Sequence, residues 1–252
     1  MATIQIFLTS GSSWAVPSDW NPANNTIEVI GASGASGGGN GGSGGGAGAG
    51  AYSKVSNIYL SGNVSYSVGT GGTPTATLGG DGGNTWFNGT SLSSASVSAE
   101  GGKGGSGGPS GASGTGGLAA NGIGTTKYSG GNGSAGVFGS YSGAGGGAAG
   151  LNGAGGNAVT TTGGSADNGT LAGGLANAVG KNGTEWTASY GSGSGGGGLT
   201  GAAAPGKAGG IYGGAPSGTA SNYAGNGITG TQGLIVITYT PSPSSNTFFL
   251  MF

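Results

Sequence analysis

Glycine supplies 71 of the 252 residues, charged residues 4%, and histidine and cysteine none. Five Lys+Arg against six Asp+Glu leave a formal net charge of −1. Disulfides, the usual zinc and haem sites and histidine-based catalysis are thereby excluded, and five scattered cations cannot neutralise a run of phosphates, so nucleic-acid binding is not expected.

In chain order, residues 3–8 alternate around Ile4, Ile6 and Leu8 and read as a strand. Residues 14–20 hold Pro17 and read as an extended piece closed by a turn. A second strand is expected at 26–30. Residues 55–60 and 64–68 read as a hairpin joined by Ser61, Gly62 and Asn63. A short strand is expected at 85–89. Residues 233–240 give the strongest strand signal, apolar on both faces, and are expected to be central, buried and paired with 27–30. Six Asn-x-Ser/Thr sequons, beginning at Asn24, Asn63, Asn88, Asn132, Asn168 and Asn182, read as turns, since asparagine tolerates positive φ.

Between the terminal strands the glycines are periodic. They fall at 102, 105, 108, 111, 114 and 117, with shorter period-three runs at 31–37, 38–44, 147–156 and 227–233. A polyproline-II-type helix has three residues per turn, so this spacing lines one face with glycine. Only eight prolines are present and the register keeps breaking, which excludes a collagen triple helix and fits short helices joined by turns. The expected fold is all-β: a small antiparallel sandwich-like module of N- and C-terminal strands, fused to a bundle of packed polyglycine-II helices. The expected division is a β-rich part at 1–100, the helix bundle at 101–232, a closing strand at 233–240, and a proline-containing linker with an apolar tail at 241–252.

Chemistry-bearing motifs are scarce. Dinucleotide and Walker-type glycine motifs fail for want of helix formers and of a Gly-Lys-Ser/Thr. Asp19, Glu28, Asp81, Glu100, Asp167 and Glu185 stand one per segment and read as solvated single charges. The loop around Asp81 lacks the repeated acids of a calcium site. No catalytic residue, metal or cofactor is expected. Tyr128, Phe138, Tyr141, Trp186, Tyr190, Tyr212 and Tyr223 interrupt the glycine pattern and are expected in loops at helix ends. Of these, Phe138, Tyr141, Trp186, Tyr190, Tyr212 and Tyr223 are candidate receptor contacts, stacking on sugar rings, or else caps that shield the lattice from water.

Residues 14–20 (Trp-Ala-Val-Pro-Ser-Asp-Trp), 25–32, the polyglycine run and Ala51 to Lys54 resemble the opening of the glycine-rich domain proteins of tailed phages and prophages. Residues 83–90, 124–131 and 230–239 continue the resemblance. In material, though not in aligned motifs, the chain is also similar to polyglycine-II tip adhesins of phage fibres. The resemblance implies a non-enzymatic virion structural protein, a tail-fibre or tail-tip component contacting the host surface. A head fibre or capsid decoration protein is the alternative, and an extracellular or ice-binding polyglycine protein a further one. Expected partners are other virion proteins or copies of the chain, with a host-surface glycan, but no nucleic acid and no membrane insertion. With no signal peptide at the start, assembly in the host cytoplasm and release in the virion are expected. After Pro241 and Pro243 come Phe248, Phe249, Leu250, Met251 and Phe252, five large apolar residues expected to act in assembly.

Overall fold

The computed structural model describes residues 1–39, 41–201 and 203–243. Nine strands form: β1 (Ile4–Leu8), β2 (Ser13–Ala15), β3 (Asn25–Ile30), β4 (Tyr52–Ser56), β5 (Asn63–Ser67), β6 (Thr85–Phe87), β7 (Val97–Ala99), β8 (Thr126–Tyr128) and β9 (Leu234–Tyr239). Two single 3-10 turns, Ala119–Asn121 and Asp167–Gly169, are the helical elements among the described residues. The protein is all-β, with two antiparallel sheets ordered β1-β9-β3-β4-β8 and β2-β5-β6-β7.

The expected pairing of 27–30 with the final strand is present, with Ile27 opposite Ile237 and Ile30 opposite Leu234. Side chains alternate across a strand, so β3 and β9 each present two faces. Ile27, Val29, Ile235, Ile237 and Tyr239 join Val64, Tyr66, Phe87 and Val97 in one core between the two sheets. Ile30, Leu234 and Val236 point the other way and pack with Tyr52, Ala148, Ala149 and Tyr212. Both faces of β9 are therefore covered, which explains its unbroken apolar run.

The hairpin expected between 55–60 and 64–68 does not form. β4 lies in the first sheet between β3 and β8, whereas β5 lies in the second between β2 and β6. The connection instead carries the chain from one sheet to the other. It is anchored by Asn25, whose Nδ2 donates to the Ile58 carbonyl at 3.1 Å, and by Trp20, whose Nε1 donates to the same oxygen at 3.2 Å. Tyr128, expected in a loop, pairs with Tyr52 as part of β8.

The glycine-rich remainder is held by backbone hydrogen bonds between segments that are not strands. Segment 44–51 is its hub. Residues 44, 47 and 50 donate to 219, 216 and 213; residues 45, 48 and 51 to 106, 103 and 100; residues 46 and 49 to 134 and 131. Its carbonyls accept with the same spacing from 31–37, 114–117 and 143–149. Six neighbours thus surround one segment, and each successive N–H turns to a different one. Every buried N–H in the segment is paired, as burial of the backbone demands. Segments 142–148 and 193–198 repeat the device with their own neighbours. The long glycine run at 102–117 is two antiparallel pieces, with Lys103 bonded to Thr115 and Ser106 to Ala112, folded back at Gly108 where φ is +114°.

Close approach dictates the glycines. A Cβ on Gly46 would run into the Ala144 carbonyl, and one on Gly48 into that of Thr115. Between them Ala47 and Ala49 have room, and with Ala215 they make a small apolar cluster. Segments 31–39, 42–50, 142–150, 191–199 and 212–220 are buried throughout. Hydrogen bonds cross residue 100 freely, so 44–51 lies among segments of the 101–232 region.

Candidate functional site

The hydrogen-bond registers give the glycine layer two ends. Residues 31, 51 and 233 adjoin the sheet, and each segment runs from there to turns near 41–43, 107–110, 136–141, 158–162, 199–201 and 219–223. These turns form a far face, and their side chains tie it together. Ser43 Oγ donates to the Val137 carbonyl at 3.0 Å and lies 2.6 Å from Ser221 Oγ. Gly139 N–H donates to Ser221 Oγ at 3.1 Å. Asn177 and Thr200 exchange two hydrogen bonds, at 3.0 and 3.1 Å.

Three of the six candidate contacts reach this face. Phe138 is 56% exposed on the turn closed by Ser140 and Tyr141 N–H bonds to the Val137 carbonyl. Tyr141 and Tyr223 are half-buried in neighbouring turns. Leu78, Val137, Val159 and Leu175 add exposed apolar surface at the same end. Of the six sequon asparagines expected in turns, Asn88 and Asn168 have positive φ; Asn24, Asn63, Asn132 and Asn182 do not, and Asn63 opens β5.

The other three candidates are at the opposite end. Tyr190 stacks on Phe7 of β1, ring centres 4.0 Å apart and 8° from parallel, and on Tyr212 at 5.8 Å. Tyr212 is only 7% exposed. Trp186 Nε1 donates to Glu28 Oε2 at 3.0 Å. The loop holding Trp186 and Tyr190 folds back onto the sheet because Phe7, Tyr128 and the β9 side chains offer apolar surface that little else in the chain can cover. These three side chains cover that surface.

The acids also depart from expectation. Glu28, Asp167 and Glu185 are not solvated single charges. Glu28 is buried and accepts from Tyr52 Oη at 2.5 Å and from Trp186. Asp167 is fully buried; Oδ1 accepts from Asn152 N–H at 2.6 Å, and Oδ2 from Asn152 Nδ2 at 2.5 Å and Thr170 Oγ1 at 3.2 Å. Glu185 Oε2 accepts from Ser192 N–H at 2.8 Å, and its side chain lines the same small pocket as Asp167. Burial raises the Glu185 carboxyl above its usual range, against the Ser192 bond and with Asp167 adding to the rise. Burial, then Glu28, raises the Tyr52 hydroxyl. The one salt bridge among the described residues, Lys103 with Asp81, is elsewhere on the surface. Only the placement of Glu28 on the inward face of β3 could have hinted at this cluster; Asp167 and Glu185 arrive from unrelated loops.

A cleft of about 520 Å³ is lined by Thr9, Ser10, Val68, Thr70 and Gln232 with glycines, and its lining carries no ionisable group. No group of three or more acids fit to hold a metal ion, and no helix long and apolar enough to cross a membrane, occurs among the described residues. Phe248, Phe249, Leu250, Met251 and Phe252 lie outside the described residues. Compared with known proteins, the chain matches no family model and no curated protein.

Proposed function

We propose that the glycine segments are packed polyglycine-II helices and that they form the rigid shaft of a phage virion protein, a tail-fibre or tail-tip component whose far face meets the host surface. The three-fold rotation of donors along 44–51 supports the helix geometry, since three residues per turn return each N–H to the same neighbour. The observation that carries the functional reading is the far face itself. Phe138, Tyr141 and Tyr223 stand there on turns joined by Ser43, Ser110 and Ser221, at the end of the shaft remote from the sheets. Aromatic rings flanked by serine and asparagine suit sugar rings, which are stacked on one face and hydrogen-bonded at the edges. The resemblance of residues 14–32 and 230–239 to phage glycine-rich proteins supports the virion assignment. Trp186, Tyr190 and Tyr212 leave the contact set, because they are engaged against the sheet.

The test has two parts. Immunogold labelling of intact particles should place the protein at the tail; label on the head would favour a head fibre, and none on purified virions would end the virion reading. Alanine at Phe138, Tyr141 and Tyr223 together should reduce binding to host cells at unchanged thermal stability. Retained binding would remove the far face from the interface.

A further inference from the structure

We propose that residues 248–252 seat their aromatic side chains in a groove of the same chain, at the rim of the core between the two sheets. The groove, of about 320 Å³, is lined chiefly by Val16, Pro17, Trp20, Pro22, Tyr59 and Leu60. Trp20 and Leu60 are buried members of that core, and Val16 packs against it. Tyr59 is 77% exposed, so the groove leads from the core to solvent. The Ile58 carbonyl, held by Asn25 Nδ2 and Trp20 Nε1, keeps Tyr59 at this place. The lining residues are uncharged at neutral pH.

The course of the chain selects this occupant. Beyond β9 the backbone runs back along residues 19–24. Thr240 N–H donates to the Asn24 carbonyl at 3.2 Å, and Ser242 N–H to the Asp19 carbonyl at 2.9 Å. Ser242 Oγ donates to the Trp20 carbonyl at 3.3 Å. Each step forward from 240 is thus a step back from 24, and the next residues on that course, Ser18, Pro17 and Val16, all line the groove. The described chain reaches Pro243. Five further residues lead to Phe248, a reach of at most about 17 Å, and the groove begins at Trp20, which Ser242 already touches. Residues 244–247 are Ser-Ser-Asn-Thr and residues 248–252 are Phe-Phe-Leu-Met-Phe, with no charge among them. They bring large apolar side chains to an apolar groove and no charged group to strip of water. Phenylalanine rings pack well against the faces and edges of tryptophan and tyrosine. A linker this short sets an effective concentration of about millimolar at the chain's own groove, above that of a second copy in dilute solution.

The test uses the full chain, which has no cysteine of its own to confuse disulfide trapping. Ser61→Cys lies in the groove lining, whereas Ala23→Cys lies outside it, next to the Asn24 carbonyl that holds Thr240. Each is combined with Leu250→Cys. A disulfide needs Cα atoms within about 7 Å of each other. Under mild oxidation the 61–250 pair should close within one monomer about tenfold faster than the 23–250 pair. Equal rates would overturn the proposal. So would 61–250 disulfides that join two copies, since the segment would then seat on a neighbour. Melting temperature gives a readout without cysteines. Tyr59→Ala should lower it in the native chain. In the full chain carrying Phe248→Ser, Phe249→Ser and Phe252→Ser, the same change should leave it where it was, because the Tyr59 ring then has lost its partners. Equal shifts in the two backgrounds would overturn the seating.

Discussion

The Tyr52 hydroxyl donates to Glu28 Oε1 across 2.5 Å, from β4 to its neighbour β3, on the face of the sheet turned to the glycine layer. Glu28 is 5% exposed, and Trp186 supplies its other donor. Tyr52→Phe keeps the ring and takes away one of two bonds to a buried carboxylate. It should destabilise by about 1–3 kcal/mol, the cost of leaving a buried acceptor short of a donor. Urea unfolding at neutral pH measures it. A loss under ~0.5 kcal/mol would mean that water reaches Glu28 and replaces the tyrosine.

Two glycines separate lattice contact from turn conformation. Gly48 is in the hub, and a Cβ there overlaps the Thr115 carbonyl; Gly139 has φ +72° on the far face with nothing within 4 Å. Gly139→Ala should cost about 1–2 kcal/mol, the penalty of a left-handed conformation for a residue with a Cβ. Gly48→Ala must push two backbones apart, and should exceed the ~4 kcal/mol that marks exceptional substitutions. Melting temperatures of the two variants decide it, and equal losses would refute close backbone contact at Gly48.

Hydrogen exchange addresses the lattice without mutation. Residues 44–51 belong to no strand, yet each N–H in them donates to a neighbouring segment. Their amides should exchange only with global unfolding, as slowly as those of β9, while amides of the 137–141 turn exchange by local opening. Rapid exchange at 44–51 would show that the lattice breathes independently of the sheets.

The strands were legible where periodicity is strong. β1, β3 and β9 carry clean alternation or long apolar runs, and the β3–β9 pairing followed from their strength. β7 and β8, three residues each, are too short to impose a period, and Tyr128 gave no sign of belonging to a sheet. The false hairpin at 55–68 has the turn chemistry of a true one; what separates its arms is the Asn25 and Trp20 anchoring of Ile58, a long-range contact. The glycine spacing announced close packing but not its partners, because glycine has no side chain to distinguish one neighbour from another. The six loop aromatics look alike in sequence. Only the fold shows that Tyr190 meets Phe7 while Phe138 meets solvent. The acid cluster was invisible for the same reason: Asp167 and Glu185 are brought together by loops whose order in the lattice is set elsewhere.

Glu185 gives stability a pH dependence whose sign follows from its environment. Burial raises its carboxyl above the usual range. The folded state therefore binds its proton more tightly than the unfolded chain does. The stabilisation is complete at pH below the unfolded carboxylate value and is lost as pH rises through the folded one. The melting temperature should fall from acidic toward neutral pH by this contribution, and Glu185→Gln, which never ionises, should flatten the fall. An unchanged slope in the variant would assign the titration to another group.

The two aromatic sets differ in burial. Tyr212 is 7% exposed, packed beside Ala148, Ala149 and Leu234 and stacked on Tyr190. Truncating a buried aromatic to alanine removes its transfer free energy and leaves a cavity, together about 3–5 kcal/mol. Phe138 is 56% exposed on a turn whose shape depends on backbone bonds, not on the ring. Its alanine variant should stay within about 0.5 kcal/mol of the native protein. Tyr212→Ala should thus lower the melting temperature sharply and weaken cell binding only through unfolding, whereas Phe138→Ala should weaken binding at native stability. Chemical denaturation and a host-cell binding assay, run on both variants at a temperature where both remain folded, separate these outcomes. If Phe138→Ala proves as destabilising as Tyr212→Ala, its ring caps the lattice from water, and the far face loses its most exposed aromatic contact.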